Sequence, residues 1–567
     1  MTDHTVVRTY SDPGLDVAKA EEYISDVLTL ENVACKDWLT NKVDRSVTGR
    51  IARQQCQGEI QLPLSDCGVV ALDFTGRAGI ATSIGHAPQV ALADPARGSV
   101  MAIAEALTNI VGANLSKGLK SVSLSANWMW PCKNEGEDAA LYNAVKACSD
   151  FAIALGINIP TGKDSLSMTQ KYGENKVYSP GTVIISAAGE VTDIRRTVSP
   201  VLKAVNSEIC LIDFSAMAPA LGGSALFQAL GKIGSETPTV ADAEYFKAAF
   251  ATVQELVRRG KIQAMHDISG GGLVTTLLEM AFANTSGGLD IDLSAVDSDP
   301  LKALFAENPG VVVQIRNSDM ALVEELCAKA GVTLKHLGTP AKGRTLAIKG
   351  NDGFSLNLDI DAMRDRWFST SAALDALQSG EKCAALRAAN YKRQPLRYRF
   401  PAGYNGSLES RGIAHGKHPE SGIRAAIIRE KGVNSDREMA YSLYLAGFDV
   451  KDVHMTDLMS GRETLDDVNM IVFCGGFSNS DVLGSAKGWA GGILWNETAK
   501  ETIRRFYARP DTLSLGICNG CQLMIELGLI NPEHERRTTM EHNISHKVAS
   551  QFLGVNIPEN TPVMCGS

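Results

Sequence analysis

No apolar run in these 567 residues approaches the ~18 needed for a membrane-spanning helix, and no charged-then-apolar leader opens the chain. Neither membrane spanning nor secretion is indicated. An excess of basic residues is missing too. The formal net charge is -9, which gives no general reason to expect nucleic-acid binding. Acidic chains still hold anionic nucleotides, through metals and backbone amides. The twelve cysteines are scattered, and only Cys518 and Cys521 form a C-x-x-C. With no second pair and no H-x-x-x-H after it, a structural zinc site is not expected. Dispersed cysteines in a long chain fit a reducing compartment, so the expected location is cytoplasmic. The nucleotide signatures G-x-x-x-x-G-K-[ST] and G-x-G-x-x-G are also missing, so any ATP site must be of another type.

What is present is an ordinary globular balance, 44% hydrophobic and 21% charged. At ~100–200 residues per domain, the length predicts three or four domains. Residues 1–36 form a helical lead-in around AEEYISDVLTL. From 37 to 203, short β-type runs (CGVVALDF, SVSLSA, TVIISAAGEV) alternate with helical patterns. A second α/β unit covers 204–348, from the buried strand ICLIDF through the helices AEYFKAAFATVQELVRRG and LVTTLLEMAFAN. Residues 349–420 read as a linker region, rich in Gly, Pro, Ser and Arg toward its end. From 421 to 567, AAIIRE, REMAYSLYLAG, DVKDVHM and MIVFCGGF give the βαβ alternation of a doubly wound parallel sheet.

The stretch LSLGICNGCQLM places Cys518 between a β-type run and a helical one. Its frame, Gly516-Ile517-Cys518-Asn519-Gly520, is that of a nucleophile elbow with Cys in place of Ser. Small flanking residues permit a tight turn, and a helix N-terminus favours the reactive thiolate. The helix is expected to carry Leu523, Leu527 and Ile530 on one stripe, with Cys521 buried one turn in. FCGGFSNSD ends another apolar strand with two glycines, whose backbone can offer amides to an oxyanion. Together these are the parts for amide hydrolysis through a thioester. A C-x-x-C oxidoreductase is the competing reading, and it requires a reversible Cys518–Cys521 disulfide.

Three other segments carry hard oxygen ligands. Asp66 lies at the mouth of an apolar strand in LPLSDCGVV. Glu105 and Asn109 stand four apart on a helix whose apolar stripe is Val100, Ile103, Leu107 and Ile110, so they share a face. Asp267 precedes a Ser-Gly-rich turn in AMHDISGGGLVTTLL, which can cradle phosphate on free amides. Three carboxylates and an amide suit magnesium shared with substrate phosphates. Each segment alone also reads as a solvated helix face or a capped turn.

As an ensemble, DRSVTGRIARQQCQG, SIGHAPQVALADP, AEALTNI, LSANWMWP, PTGKDSLSM, HDISGGGL, AAIIREKGVNSDREMA, CGGFSNSDVLGSAKGWA and ICNGCQ resemble the large single-chain phosphoribosylformylglycinamidine synthase family, over nearly all of residues 40–567. The resemblance implies a multidomain α/β and α+β fold. An aminoimidazole ribonucleotide synthetase-like half would be followed by a flavodoxin-like class I glutamine amidotransferase domain. It implies ATP-dependent amidation of formylglycinamide ribonucleotide with glutamine-derived ammonia, assisted by Mg2+. Cys518 falls on the nucleophile, Gly475 and Gly476 on the oxyanion loop, and Gln522 on a glutamine contact. Asp66, Glu105, Asn109 and Asp267 fall on magnesium positions, and Ser65 and Ser269 on ATP contacts. Arg45, Thr48, Lys163 and Asp164 fall where the family contacts substrate or phosphate.

Two departures stand out. Asn479 replaces a Tyr frequent in relatives. No H-x-E pair, the family's base and its orienter, follows Cys518: His534, His542 and His546 lack it, and His418 to Glu420 is upstream. The amidotransferase domain is therefore expected to be truncated. The resemblance also implies an N-terminal half preceding the first matched residues. The chain would then work as a homodimer or with a separate half, or be an incomplete fragment that binds nucleotide and Mg2+ without catalysing. A non-enzymatic interaction module is disfavoured because Asp66, Asp267 and Cys518 are all present.

Overall fold

Buried and exposed positions alternate strictly along the strand Gly79–Gly85 and through the second half of its partner Thr182–Val191. The two pair antiparallel, from Ile185 opposite Gly85 to Val191 opposite Gly79. Strands patterned this way cover a core with one face only. They lie at the centre of a six-stranded sheet ordered Ile51–Arg53, Gly68–Ala71, Gly79–Gly85, Thr182–Val191, Val122–Met129, Asn158–Ser165. The inner face packs on the helix Pro95–Ile110, which packs in turn on Glu137–Leu155. On the outer face Val70, Ile80 and Ile84 are exposed.

This is a computed structural model, and it describes residues 8–556 apart from 394, 414, 415, 417, 531, 533 and 554. The chain divides into two compact units. One holds the described residues through Arg397 together with those from Ile544 onward; the other is Tyr398–Asn543.

Within the first unit a seven-stranded sheet runs Ile262–Asp267, Gly310–Arg316, Ser207–Asp213, Leu334–Ala341, Gly288–Asp292, Thr345–Lys349, Ser355–Asp359. The unbroken apolar run ICLI has a simple cause. Ile209 and Leu211 pack into one core, while Cys210 and Ile212 pack into another on the opposite face. A strand covered on both sides needs apolar residues at every position. The second of these cores also takes in Ile103, Leu107 and Ile110, so the two sheets share it.

The expected linker at 349–420 is corrected in its first part. The helix Ile360–Ser379 buries Trp367 and Phe368 in the same core as the lead-in helix Ala20–Leu28. The Trp367 indole donates to the Val33 carbonyl at 2.9 Å. Polar composition hid this, because buried Arg364 bonds the Tyr391 hydroxyl (3.2 Å) and pairs with Asp361 (2.8 Å).

The second unit is built on four parallel strands ordered Asp449–His454, Arg424–Arg429, Met470–Phe473, Leu513–Gly516. Second-first-third-fourth is the flavodoxin-like order, whose ligands sit at the carboxyl ends of the strands. The helix after Cys518 is shorter than its stripe suggested. It spans Asn519–Glu526 and buries Leu523, but Gly528 at φ +71 turns the chain, leaving Ile530 outside the helix and exposed. Residues from Ile544 onward group with the first unit. The Ser550 amide donates to the Asn41 carbonyl at 2.9 Å, within the first unit.

Trp367→Ala should destabilise the first unit by about 3–5 kcal/mol, whereas Leu377→Ala, 85% exposed on the same helix, should stay within about 0.5 kcal/mol. Denaturant unfolding of the two variants checks this; equal midpoints would return the helix to linker status.

Candidate active sites: a carboxylate–histidine cluster and a cysteine elbow

Close backbone contact sets up the first site. Gly85 lies directly against the helix Pro95–Ile110: a Cβ there would come 2.2 Å from the Ala102 carbonyl. Asp94 caps that helix by accepting from the Arg97 amide at 3.0 Å, with Pro95 at its first position. The contact brings the His86 amide 2.6 Å from Glu105 Oε2. One turn on, the Asn109 amide group donates to the Ile84 carbonyl at 2.9 Å.

From the seven-stranded sheet, Ile262–Asp267 delivers His266 and Asp267 at its carboxyl end. The His266 ring meets three carboxylates. Nδ1 is 3.0 Å from Asp66 and 3.1 Å from Asp267, and Nε2 is 3.0 Å from Glu279 on the helix Gly272–Phe282. Both ring nitrogens face acceptors, an arrangement that the doubly protonated ring satisfies. Burial opposes that charge, but Asp66 and the bonds to Asp267 and Glu279 hold the ring's pKa well above the ordinary value. Glu307 completes the wall, accepting from the Ala225 and Gly271 amides at 2.8 Å each.

These carboxyls resist ionisation because they are buried and crowd one another. Desolvation pushes Asp66 up to about 6, against the pull of His266. It pushes Glu105 up to about 8, helped by Asp267 and Glu307. Glu307 rises to about 7 by burial, opposed by its two amide bonds. Asp267 Oδ2 is buried with no hydrogen-bond partner. An orphaned carboxylate oxygen among acids that need positive charge fits a hard divalent cation.

The phosphate-cradle expectation is corrected in part. The Gly271 amide is already bonded to Glu307, and the Gly272 amide to the Ser269 carbonyl at 3.0 Å. Both glycines have positive φ, and a Cβ on Gly272 would strike Phe305 backbone at 2.6 Å, so the turn serves packing as well.

A cleft of about 750 Å³ opens beside Asp66, a size suited to a small-molecule ligand. Ser65 lines it, its hydroxyl bonded to the Gln54 carbonyl at 2.6 Å, and so does Arg45, whose Nη1 is buried without a partner. Thr48 sits in a short turn at φ +72. Pro160 and Thr161 reach the cleft, while Lys163 and Asp164 lie further along the same strand, exposed, with Lys163 bonded to Ser165.

The second site is the elbow. Cys518 is exposed, has φ +53 and ψ -113, and immediately precedes the helix Asn519–Glu526. A non-glycine residue in such a conformation is strained, as active-site nucleophiles often are. Its flanking glycines are required: a Cβ on Gly520 would come 2.0 Å from the Phe473 carbonyl, and one on Gly516 2.6 Å from that of Gly520. Gly475 lies against Cys518, its missing Cβ 3.1 Å from the cysteine Cβ, and Gly476 needs φ +122 beside Asn434. Asn519 ties the parts together. It accepts from the Ser478 amide (3.3 Å) and donates to Asp481 and Gln522 (3.2 Å each). Cys521 is half-buried and, like Cys518, a free thiol.

The Cys518 thiol has no hydrogen-bond partner among the described residues, although its carbonyl accepts from the Gln522 amide at 3.1 Å. His418 is not near it. Its ring stacks on Tyr444 and bonds the Tyr444 carbonyl, beside Asp449 at the amino end of the sheet, whereas Cys518 follows the carboxyl end. Sequence reading had passed over His266, Glu279, Glu307 and Asn519. His266 stands beside Asp267 in a quoted motif, but Glu279 and Glu307 join the cluster only through the tertiary fold.

Comparison with known proteins fits this geometry. Residues 35–190 match the FGAR-AT PurM_N-like domain, 211–351 the C-terminal domain of AIR synthase related proteins, and 422–567 the CobB/CobQ-like glutamine amidotransferase domain. The chain is 40% identical over 573 residues to the phosphoribosylformylglycinamidine synthase of Homo sapiens, covering 97% of this chain and 42% of that protein. By sequence, nearly the whole chain resembles one part of the phosphoribosylformylglycinamidine synthases. The probable chloroplastic/mitochondrial enzyme of Arabidopsis thaliana is 39% identical over 569 residues, covering 97% of this chain and 39% of that one. The chain thus spans about two fifths of the length of these relatives. Among solved structures, T. maritima PurL complexed with FGAR aligns with a TM-score of 0.49 at 13% identity, over 62% of this chain and 54% of that one. The expected order, synthetase-like domains and then an amidotransferase domain, is the order of the matched families.

The raised carboxyls fix a sign for pH dependence. Asp66, Glu307 and Glu105 bind protons more tightly folded than unfolded, where a carboxyl titrates near ~4. Their contribution to stability is complete below that pH and is lost as pH rises through about 6, 7 and 8 respectively. Glu105→Gln should therefore flatten the fall in unfolding free energy between roughly pH 4 and 8. Denaturant unfolding across that range, without divalent cations, measures it; an unchanged slope would contradict the burial of Glu105.

Proposed function

We propose that this chain carries the ATP-dependent amidation of formylglycinamide ribonucleotide to formylglycinamidine ribonucleotide, a ligase reaction of purine biosynthesis using ammonia from glutamine. The observation that carries the reading is one chain holding both a buried carboxylate cluster with an orphaned oxygen at Asp267 and a strained, exposed Cys518 on an elbow. The names of the relatives support it.

In this reading Asp66, Glu105, Asn109 and Asp267 hold Mg2+, and His266 positions two of them. The bound cation would neutralise charge on the phosphates of ATP. Ser65 and Ser269 contact the nucleotide. Arg45, with a donor free in the cleft, binds an anionic part of the substrate alongside Thr48. Lys163 and Asp164 rest on the family resemblance alone. Cys518 attacks the side-chain amide carbon of glutamine, the Gly475–Gly476 backbone faces the oxyanion, and Gln522 contacts the glutamine. ATP phosphorylates the substrate's amide oxygen; the ammonia released attacks the amide carbon, and phosphate leaves carrying that oxygen. A second synthetase half, from another copy or a separate chain, covers the open face bearing Val70, Ile80 and Ile84. The free thiols, and the fact that no helix among the described residues is long and apolar enough to cross a membrane, are compatible with a cytoplasmic location.

Steady-state turnover of the purified chain with ATP, Mg2+ and formylglycinamide ribonucleotide tests this, with ammonia and glutamine compared as donors. Turnover with ammonia is expected, and Cys518→Ser should leave it intact while removing any glutamine-dependent rate. His266→Gln should lower Mg2+-dependent turnover ~10–100-fold, the usual cost of losing a group that orients metal ligands. No turnover with either donor would favour the second reading, a nucleotide-binding chain that needs its partner half.

A further inference from the structure

A second group of metal-binding side chains lies toward the other end of the seven-stranded sheet from Asp267. Cys210 and His336 are register partners in the antiparallel pair Ser207–Asp213 and Leu334–Ala341, so their side chains share a face. Glu208, two residues before Cys210, shares it too. One ligand atom from each of Glu208, Cys210 and His336 falls within 4.8 Å of the other two. The His336 ring stands between two carboxylates: Nδ1 is 2.8 Å from Glu208, and Nε2 is 3.2 Å from Glu324 on the helix Met320–Ala330.

A half-exposed histidine between two carboxylates is by itself an ordinary ion pair. That explanation leaves out the thiol. The Cys210 thiol is fully buried and has no hydrogen-bond partner among the described residues, yet the sulfur belongs to the same group of ligand atoms. A thiol, an imidazole and a carboxylate are the mixed donor set of a borderline-soft divalent ion, in contrast to the oxygen-rich cluster at Asp66.

We propose that Glu208, Cys210 and His336 form a binding site for a zinc-type divalent cation, with Glu324 as the carboxylate that orients the imidazole. Nδ1 ligates the ion while Nε2–H donates to Glu324, the carboxylate–histidine–metal arrangement of many zinc sites. Water takes the fourth position. Ligand atoms around tetrahedral zinc sit roughly 3.3–3.8 Å apart, so closing the site needs only side-chain movements of Glu208 and His336, both accessible to solvent. Cys210 binds as the thiolate and its proton passes to water. Burial and the Glu208 charge push the thiol up to about 12, so without metal it stays neutral. The bound ion would staple the strand Ser207–Asp213 to Leu334–Ala341, and through Glu324 to the helix above them. It takes no part in the amidation chemistry.

The test uses the full chain, stripped with a chelator and titrated with Co2+. A thiolate-to-cobalt charge-transfer band should saturate at one equivalent, disappear on adding Zn2+ and survive excess Mg2+. Cys210→Ser should abolish it, His336→Gln and Glu324→Gln should each weaken binding ~10–100-fold, and Cys518→Ser should leave it unchanged. No band at stoichiometric Co2+, or a band that persists in Cys210→Ser, overturns the site. If Cys210→Ser fails to fold, the half-exposed His336→Gln decides: wild-type Co2+ affinity in that variant overturns it as well.

Discussion

A single imidazole holds the carboxylate cluster together. His266 reaches Asp66, just before the first sheet's strand Gly68–Ala71, Asp267 at the end of a strand of the second sheet, and Glu279 on the helix that follows. Without the His266 cation, three buried carboxyls would repel one another across the junction of two domains. With it, they are fixed in place, yet one oxygen of Asp267 stays unsatisfied. The cluster is preorganised but leaves one carboxylate oxygen unpaired. The shared core beneath it, from Ile103 and Leu107 to Val311 and Val313, keeps the two halves of the cluster in register.

The elbow reaches preorganisation by a different route. No charge network surrounds Cys518; its position comes from backbones packed too closely for side chains, at Gly475, Gly516 and Gly520. The adjoining loop has three consecutive non-glycine residues in left-handed conformation, Asn479, Ser480 and Asp481, with Asn519 bonding to its members. Strain of this kind persists only where the surroundings over-determine it. The flavodoxin-like strand order supplies that surrounding by bringing the loops after the first and third strands together, at the Val433–Gly476 bridge.

The elbow was legible in the sequence because everything that defines it is local: a β-type run, two glycines and a helical pattern within a dozen residues. Asp66, Glu105 and Asp267 were legible through motif order, not periodicity. Glu279 was invisible because it occupies an unremarkable turn of an apolar helix, and its partner His266 lies thirteen residues away in sequence and is reached through the turn Ile268–Gly271. Ile360–Ser379 has a helical pattern, but its burial was hidden for a physical reason. Its buried Arg364 and Ser371 look like surface residues until their partners, Tyr391 and the Trp38 amide, are known. The helix after Cys518 was overextended because a periodic stripe says nothing about where a left-handed glycine ends it.

The contact at Gly85 has a historical consequence. The carbonyl of Ala102 and the amide of Ala106 both occupy space that any side chain at position 85 would need. The distance between sheet and helix is therefore set by bare backbone, and with it the reach of Glu105 toward Asp267. A lineage can exchange most of the surrounding apolar residues for others of similar volume. It cannot exchange this glycine one step at a time, because every intermediate would lift the helix and carry Glu105 out of range.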